Sequence, residues 1–161
     1  MIFGYKIHPT ARIGFSIILV DRLEMGANAS IGSLSVFKGL SLLQLDESGH
    51  IGNLNWITAY PKNDTQFYTT EKDRRPELII ERHAAVTNRH LIDCSNTVLI
   101  EEFATFAGWR SKVLTHSPHL SQNKQTTRPI RIGAYSFVGT GVILLGGSAV
   151  PATQSWERAL F

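Results

Sequence analysis

The run Ile132-Gly133-Ala134-Tyr135-Ser136-Phe137-Val138-Gly139-Thr140-Gly141-Val142-Ile143-Leu144-Leu145-Gly146-Gly147-Ser148-Ala149-Val150 decides the fold. Large apolar residues return at every sixth position, Ile132, Val138, Leu144 and Val150, with glycine after the first two and Ser136, Val142 and Ser148 at the fourth following place. A period of six is neither the roughly 3.6 residues of an amphipathic helix nor the alternation of a half-buried strand. It suits a short strand followed by a sharp corner. The periodic residue then points into a shared interior, and the glycine lets backbones approach closely at the bend. Three such hexads close a triangular coil of about eighteen residues, and stacked coils pair edge to edge at about 4.8 Å.

The same spacing runs back through the chain. Ile7, Ile13, Leu19, Met25, Ile31, Phe37 and Leu43 hold one phase, with Gly14, Gly26 and Gly32 behind three of them and Ala11, Ala29, Ser35 and Ser41 at the small fourth place. The phase slips at His50, resumes at Ile51-Gly52 and Ile57, returns at Ile80, Val86, Ile92 and Val98, and slips by two into Ile100 and Phe106. Two polar stretches, 61–77 and 116–129, carry no phase. They read as excursions from coil corners, and excursions of that length from a solenoid are usually functional or flexible. Residues 154–160 also leave the hexad; one or two helical turns there would cap an otherwise sticky sheet edge.

Residues 1–161 make one domain by length, and 43% hydrophobic with 18% charged residues excludes a disordered chain. No apolar run approaches the ~18 residues needed to cross a bilayer and no signal-like segment opens the chain, so a soluble, cytoplasmic protein without a membrane span is expected. The single cysteine, Cys94, has no partner for an internal disulfide or a thiolate metal site. A net charge of +3 suits an anionic small molecule and is too small and scattered to argue for nucleic acid.

The hexads resemble the repeat of the hexapeptide-repeat acyltransferases, an aliphatic residue, then a glycine, small or acidic one, then a small residue at the fourth following place. That resemblance implies an all-β, left-handed parallel β-helix with a protruding loop and a short C-terminal cap. Within the family, Ala107-Gly108-Trp109-Arg110-Ser111-Lys112-Val113-Leu114-Thr115-His116-Ser117, a polar loop and then Pro129 through Gly139 are similar to the maltose, xenobiotic and polysaccharide O-acetyltransferase branch. The branch implies a CoA-dependent O-acyltransferase that moves an acetyl or related acyl group from acetyl-CoA to a hydroxyl of a carbohydrate or similar small acceptor, by direct transfer and without a metal. A homotrimer with active sites between subunits is expected on the same ground, as is a place in polysaccharide biosynthesis.

By the same resemblance the general base falls on His116, at a strand end opening the second excursion. Imidazole suits the task because its unperturbed pKa of about 6.5 leaves it neutral near pH 7. Gly139, Gly141 and Arg131 are the expected coenzyme contacts, and Trp109 and His119 the expected acceptor contacts. His83 and His90 read as structural or exposed, and Cys94, although thiols accept acyl groups, as a small residue tucked at a corner. Two alternatives remain open: a non-catalytic scaffold, favoured by coils that stop at Val150 where family members usually continue, and a zinc enzyme of the γ-carbonic-anhydrase kind drawing on His83, His116 and His119.

Overall fold

Strands of two to five residues cannot hold themselves, so each relies on pairing with the strand one coil away. The structure, a computed structural model, describes residues 4–64, 66–68, 71–122 and 124–156. Its strands form three parallel sheets, the faces of a triangular coil. The first face stacks Gly4–Ile7, Arg22–Met25, Leu42–Leu45, Glu77–Ile80, Val98–Ile100, Ile130–Ile132 and Ala149–Val150. The second stacks Arg12–Ile13, Ser30–Ile31, His50–Ile51, Ala85–Asn88, Thr105–Trp109, Phe137–Val138 and Ser155–Trp156. The third stacks Ile17–Leu19, Val36–Lys38, Trp56–Thr58, Leu91–Asp93, Lys112–Leu114 and Ile143–Leu145. This is the all-β parallel β-helix expected from the hexads.

The periodic residues fill its interior. Phe37, Leu43, Ile57, Val86, Ile92, Phe106, Ile132 and Val138 are fully enclosed, and the small fourth-place residues Ala29, Ala84 and Ala104 are buried where the corner leaves no room for a longer side chain. Gly32 shows why glycine follows the apolar residue: a Cβ there would lie 2.7 Å from the carbonyl carbon of Gly52 in the next coil. The phase slips also have a geometric cause. Tyr5 pairs with Leu23, eighteen residues on, but Leu23 pairs with Leu43, twenty on. Between these, Ile13 pairs with Ile31, eighteen on, and Ile18 with Phe37, nineteen on, so one residue is added at each of two corners and the phase advances by two.

Three expectations change. Leu19 does not enter the core; it is 60% exposed, and its neighbour Ile18 packs inward instead. The 116–129 excursion, read as a loop, carries an antiparallel strand pair, His116–His119 against Lys124–Thr127, with a 3₁₀ turn at Leu120–Gln122. The expected terminal helix gives way at its start to a strand, because Ser155 and Trp156 extend the second face by pairing with Phe137 and Val138; positions 157–160 of that expectation lie outside the described residues. No helix among the described residues is long and apolar enough to cross a membrane.

The inward and outward columns should respond differently to truncation. Phe106→Ala, which empties a core position, is expected to cost about 3–5 kcal/mol, whereas Phe137→Ala on the outward column of the same face should cost well under that. Thermal melting of the two variants checks this, and equal losses would contradict the assignment of faces.

Candidate active site

Both excursions leave the coil at the same corner, between the third and first faces. The 61–77 segment departs after Trp56–Thr58 and the hairpin departs after Lys112–Leu114; the coil between them, through Asp93, Cys94, Ser95 and Asn96, turns tightly. Asp93 is therefore flanked above and below by inserted chain. Parallel pairing sets it between Thr58 and Leu114, directly beneath the start of the hairpin.

The Asp93 carboxylate is buried and saturated with donors. Its Oδ1 accepts from the Ser95 hydroxyl at 2.6 Å and the Ser95 N–H at 3.3 Å. Its Oδ2 accepts from the Thr115 hydroxyl at 2.5 Å, the Thr115 N–H at 3.0 Å and the His116 N–H at 3.2 Å. His116 Nδ1 is also 2.8 Å from Oδ2, at ion-pair distance though bent away from hydrogen-bond alignment. Burial pushes the Asp93 carboxyl pKa up, but the contacts with His116, Ser95 and Thr115 outweigh it and leave it below the usual carboxylate range. Contact with Asp93 in turn raises the His116 pKa above the ordinary histidine value, against the lowering effect of burial.

This geometry orients the imidazole. Nδ1 is turned to the carboxylate, Nε2 meets no polar group among the described residues, and the side chain is 34% exposed. His116 opens onto a cleft of about 500 Å³ floored by Trp56, Leu91 and Leu114 and walled by Tyr60 and Pro61. The Tyr60 ring stands edge-on to the imidazole with centroids 6.2 Å apart.

The first excursion supplies that wall, and a buried arginine fixes it. Arg74 folds inward, stacks on Tyr68 and donates to the carbonyls of Tyr60 at 2.7 Å, Ser95 at 3.3 Å and Pro61. Tyr60 N–H donates to Ser95 Oγ at 3.1 Å, so the wall and the dyad share one serine. Asn96 donates to the Thr127 hydroxyl at 3.0 Å, and Thr127 lies 3.5 Å from Glu71, tying hairpin to excursion.

Of the residues expected at the site, only His116 lines this cleft. His119 lies exposed on the hairpin, 3.3 Å from the Ser121 hydroxyl, and borders crevices on the hairpin's own flanks. Trp109, Gly139 and Gly141 come together at a different corner, between the second and third faces, where Gly141 N–H bonds the Trp109 carbonyl at 3.3 Å. Arg131 stands on the first face, held by Glu101 at 2.5 and 2.8 Å. His83 stacks between coils on Phe103 at the first-to-second-face corner, away from His116 and His119, and His90 is buried against Phe106. Cys94 faces the core, where burial pushes its thiol pKa up, the opposite of what a nucleophile needs. Asp93, Tyr60, Ser95 and Thr115 carry no sequence signal of their own. Asp93 is separated from His116 by a whole coil, and only the register Asp93 to Leu114 could have found it.

Titration should expose the pair. Observed by NMR, the His116 imidazole is expected to titrate above 6.5, and Asp93→Asn should move that midpoint down. The stability that His116 contributes is present below about 6.5 and lost as pH rises through its raised pKa; that of Asp93 is present above about 3.9 and lost as pH falls through its lowered one. An unmoved midpoint in Asp93→Asn would dismiss the coupling.

No protein-family model and no curated protein matches the chain. Among solved structures it is similar to the crystal structure of the polySia-specific acetyltransferase NeuO, at a TM-score of 0.32 and 10% identity, over 96% of this chain and 80% of that one.

Proposed function

We propose that the protein is a CoA-dependent O-acyltransferase in which His116 is the general base and Asp93 its positioning residue. The observation that carries this reading is the imidazole of His116, its Nδ1 at ion-pair distance, 2.8 Å, from a buried carboxylate, lining an open cleft. Asp93 favours the tautomer with its proton on Nδ1 and so keeps the Nε2 lone pair available. Nε2 takes the proton of an acceptor hydroxyl as its oxygen attacks the thioester carbonyl carbon. The C–S bond then breaks, the imidazolium returns the proton to the departing sulfur, and an ester and a free thiol leave. No covalent enzyme intermediate is needed. The family resemblance favours a carbohydrate hydroxyl as acceptor and polysaccharide synthesis as the setting.

A second copy of the chain completes this reading. The outward side of the third face is largely apolar where it should meet water: Ile17, Leu19, Trp56, Leu91, Ile143 and Leu145 are exposed along it, interrupted by Lys38 and Lys112. An apolar stripe of this extent marks a contact surface. The His116 cleft opens at its margin, as expected of a homotrimer with sites between subunits. The same stripe would also serve a scaffold, so oligomeric state alone does not separate the two readings and activity must.

Thiol release from acetyl-CoA in the presence of a panel of sugar acceptors tests the transferase reading. His116→Ala is expected to lower kcat by about 10²–10⁴-fold with coenzyme binding retained. The rate should also fall as pH drops through the raised His116 pKa, because protonated imidazole is no base. Saturable acetyl-CoA binding without any transfer would move the reading to a scaffold. Light scattering should report a trimer; a stable monomer would overturn the intersubunit site.

A further inference from the structure

A second groove, of about 620 Å³, lies on the third face beyond the His116 cleft, toward the corner shared with the second face. Arg89, Arg110 and Lys112 line it together with Leu54, Trp56 and Leu91. The two depressions are neighbours, since Trp56 and Leu91 border both. Pairing explains the order: Lys112 stacks on Leu91 and Leu91 on Trp56, while Arg89 and Arg110 occupy left-handed corner positions, at φ 59° and 57°.

The charge in this groove is uncompensated. No carboxylate lines it, and none of the three cations has an ion-pair partner among the described residues. Elsewhere on the coil surface Lys6, Arg82 and Arg131 each meet a glutamate at 3.4, 2.9 and 2.5 Å. Arg89 is further held by stacking, its guanidinium 4.4 Å above the Trp109 ring. His90, at the groove's edge, adds no charge near neutral pH because burial lowers its pKa to about 4. Three unpaired cations beside an aromatic ring suit a cluster of phosphate oxygens.

The spacing fits one end of an extended molecule. Leu91 and Asp93 are two residues apart on one strand, about 7 Å, Lys112 stands beside Leu91 and Arg89 lies two residues further, so the cations span about 7–13 Å from the dyad. Between them runs an apolar floor, Trp56 and Leu91. A thioester donor whose phosphates sit at the far end of a long, uncharged arm matches that sequence of reaction centre, apolar path and basic pocket.

Resting on the acyltransferase reading, we propose that Arg89, Arg110 and Lys112 bind the phosphate end of the acyl donor, the arm crossing Trp56 and Leu91 to bring the thioester to His116. This locates coenzyme recognition on the third face, at coils before Gly139 and Gly141 and away from Arg131.

The test compares acetyl-CoA with acetyl-pantetheine, which keeps the thioester and lacks phosphates. Arg110→Gln combined with Lys112→Gln is expected to raise KM for acetyl-CoA roughly tenfold or more, with kcat and transfer from acetyl-pantetheine unchanged. These side chains are exposed, and an unchanged melting temperature confirms the variant is folded. An unchanged KM for acetyl-CoA overturns the groove and leaves the transferase reading standing. If wild-type protein transfers from neither donor, the transferase reading falls. Calorimetric titration with adenosine 3′,5′-bisphosphate then decides the groove by itself: binding lost in the variant supports a phosphate site, and binding equal in both proteins removes it.

Discussion

Everything in this molecule follows from the requirement that each strand pair with the strand one coil above and one coil below. A parallel ladder has no slack along its length, so extra residues can enter only at corners or as a bulge. The register makes this visible. Leu43 pairs with Leu78 across thirty-five residues and Val98 with Ile130 across thirty-two, yet the strands on either side of each insertion remain aligned. Both insertions use the third-to-first-face corner, in coils separated by the one that carries Asp93. The inserted chain therefore converges on Asp93 from both sides.

That convergence explains why a buried carboxylate is tolerated. An isolated charge in the wall of a coil would be strongly unfavourable, but Asp93 answers open donors from the tight corner at Ser95 and from the hairpin root at Thr115 and His116. The carboxylate thus does two jobs with the same oxygens: it satisfies the backbone where the chain leaves the ladder, and it fixes the ring that follows. Arg74 does the corresponding work for the first excursion, turning a surface cation inward to three carbonyls of the corner. A segment rich in charge becomes a wall through one guanidinium and a small aromatic cluster, Tyr60 against Phe67 and the buried Tyr68.

Periodicity made the coil legible because the interior repeats: Ile132, Val138 and Leu144 each face the same environment one corner apart. Even the phase slips at His50 and Ile100 carried information, for they mark coils of twenty residues rather than eighteen. Leu19 misleads because Ile17-Ile18-Leu19 is apolar at every position, and composition cannot say which residue faces in when the outward side is apolar too. The site was legible in His116 alone. Its partners are outward or corner residues whose identity is not constrained by the repeat, and they meet it through stacking between coils that no local window contains.

The outward columns carry a second kind of order, in charge. Because paired residues stack at about 4.8 Å, a cation in one coil falls within reach of whatever stands at the same place in the next. On the first face Lys6 finds Glu24 by this rule, at the first-to-second-face corner Arg82 finds Glu102, and Arg131, stacked on Leu99, reaches diagonally to Glu101. At the second-to-third-face corner the rule is broken: Arg89 and Arg110 stack over Leu54 and toward Lys112 with no acid among them. Repulsion among these groups is unfavourable in the absence of an anion, and the coil offered neighbouring positions where a glutamate would have relieved it. Three cations gathered with no carboxylate among them, beside the Trp56 and Leu91 that also line the His116 cleft, are the feature on which the proposed anion site rests.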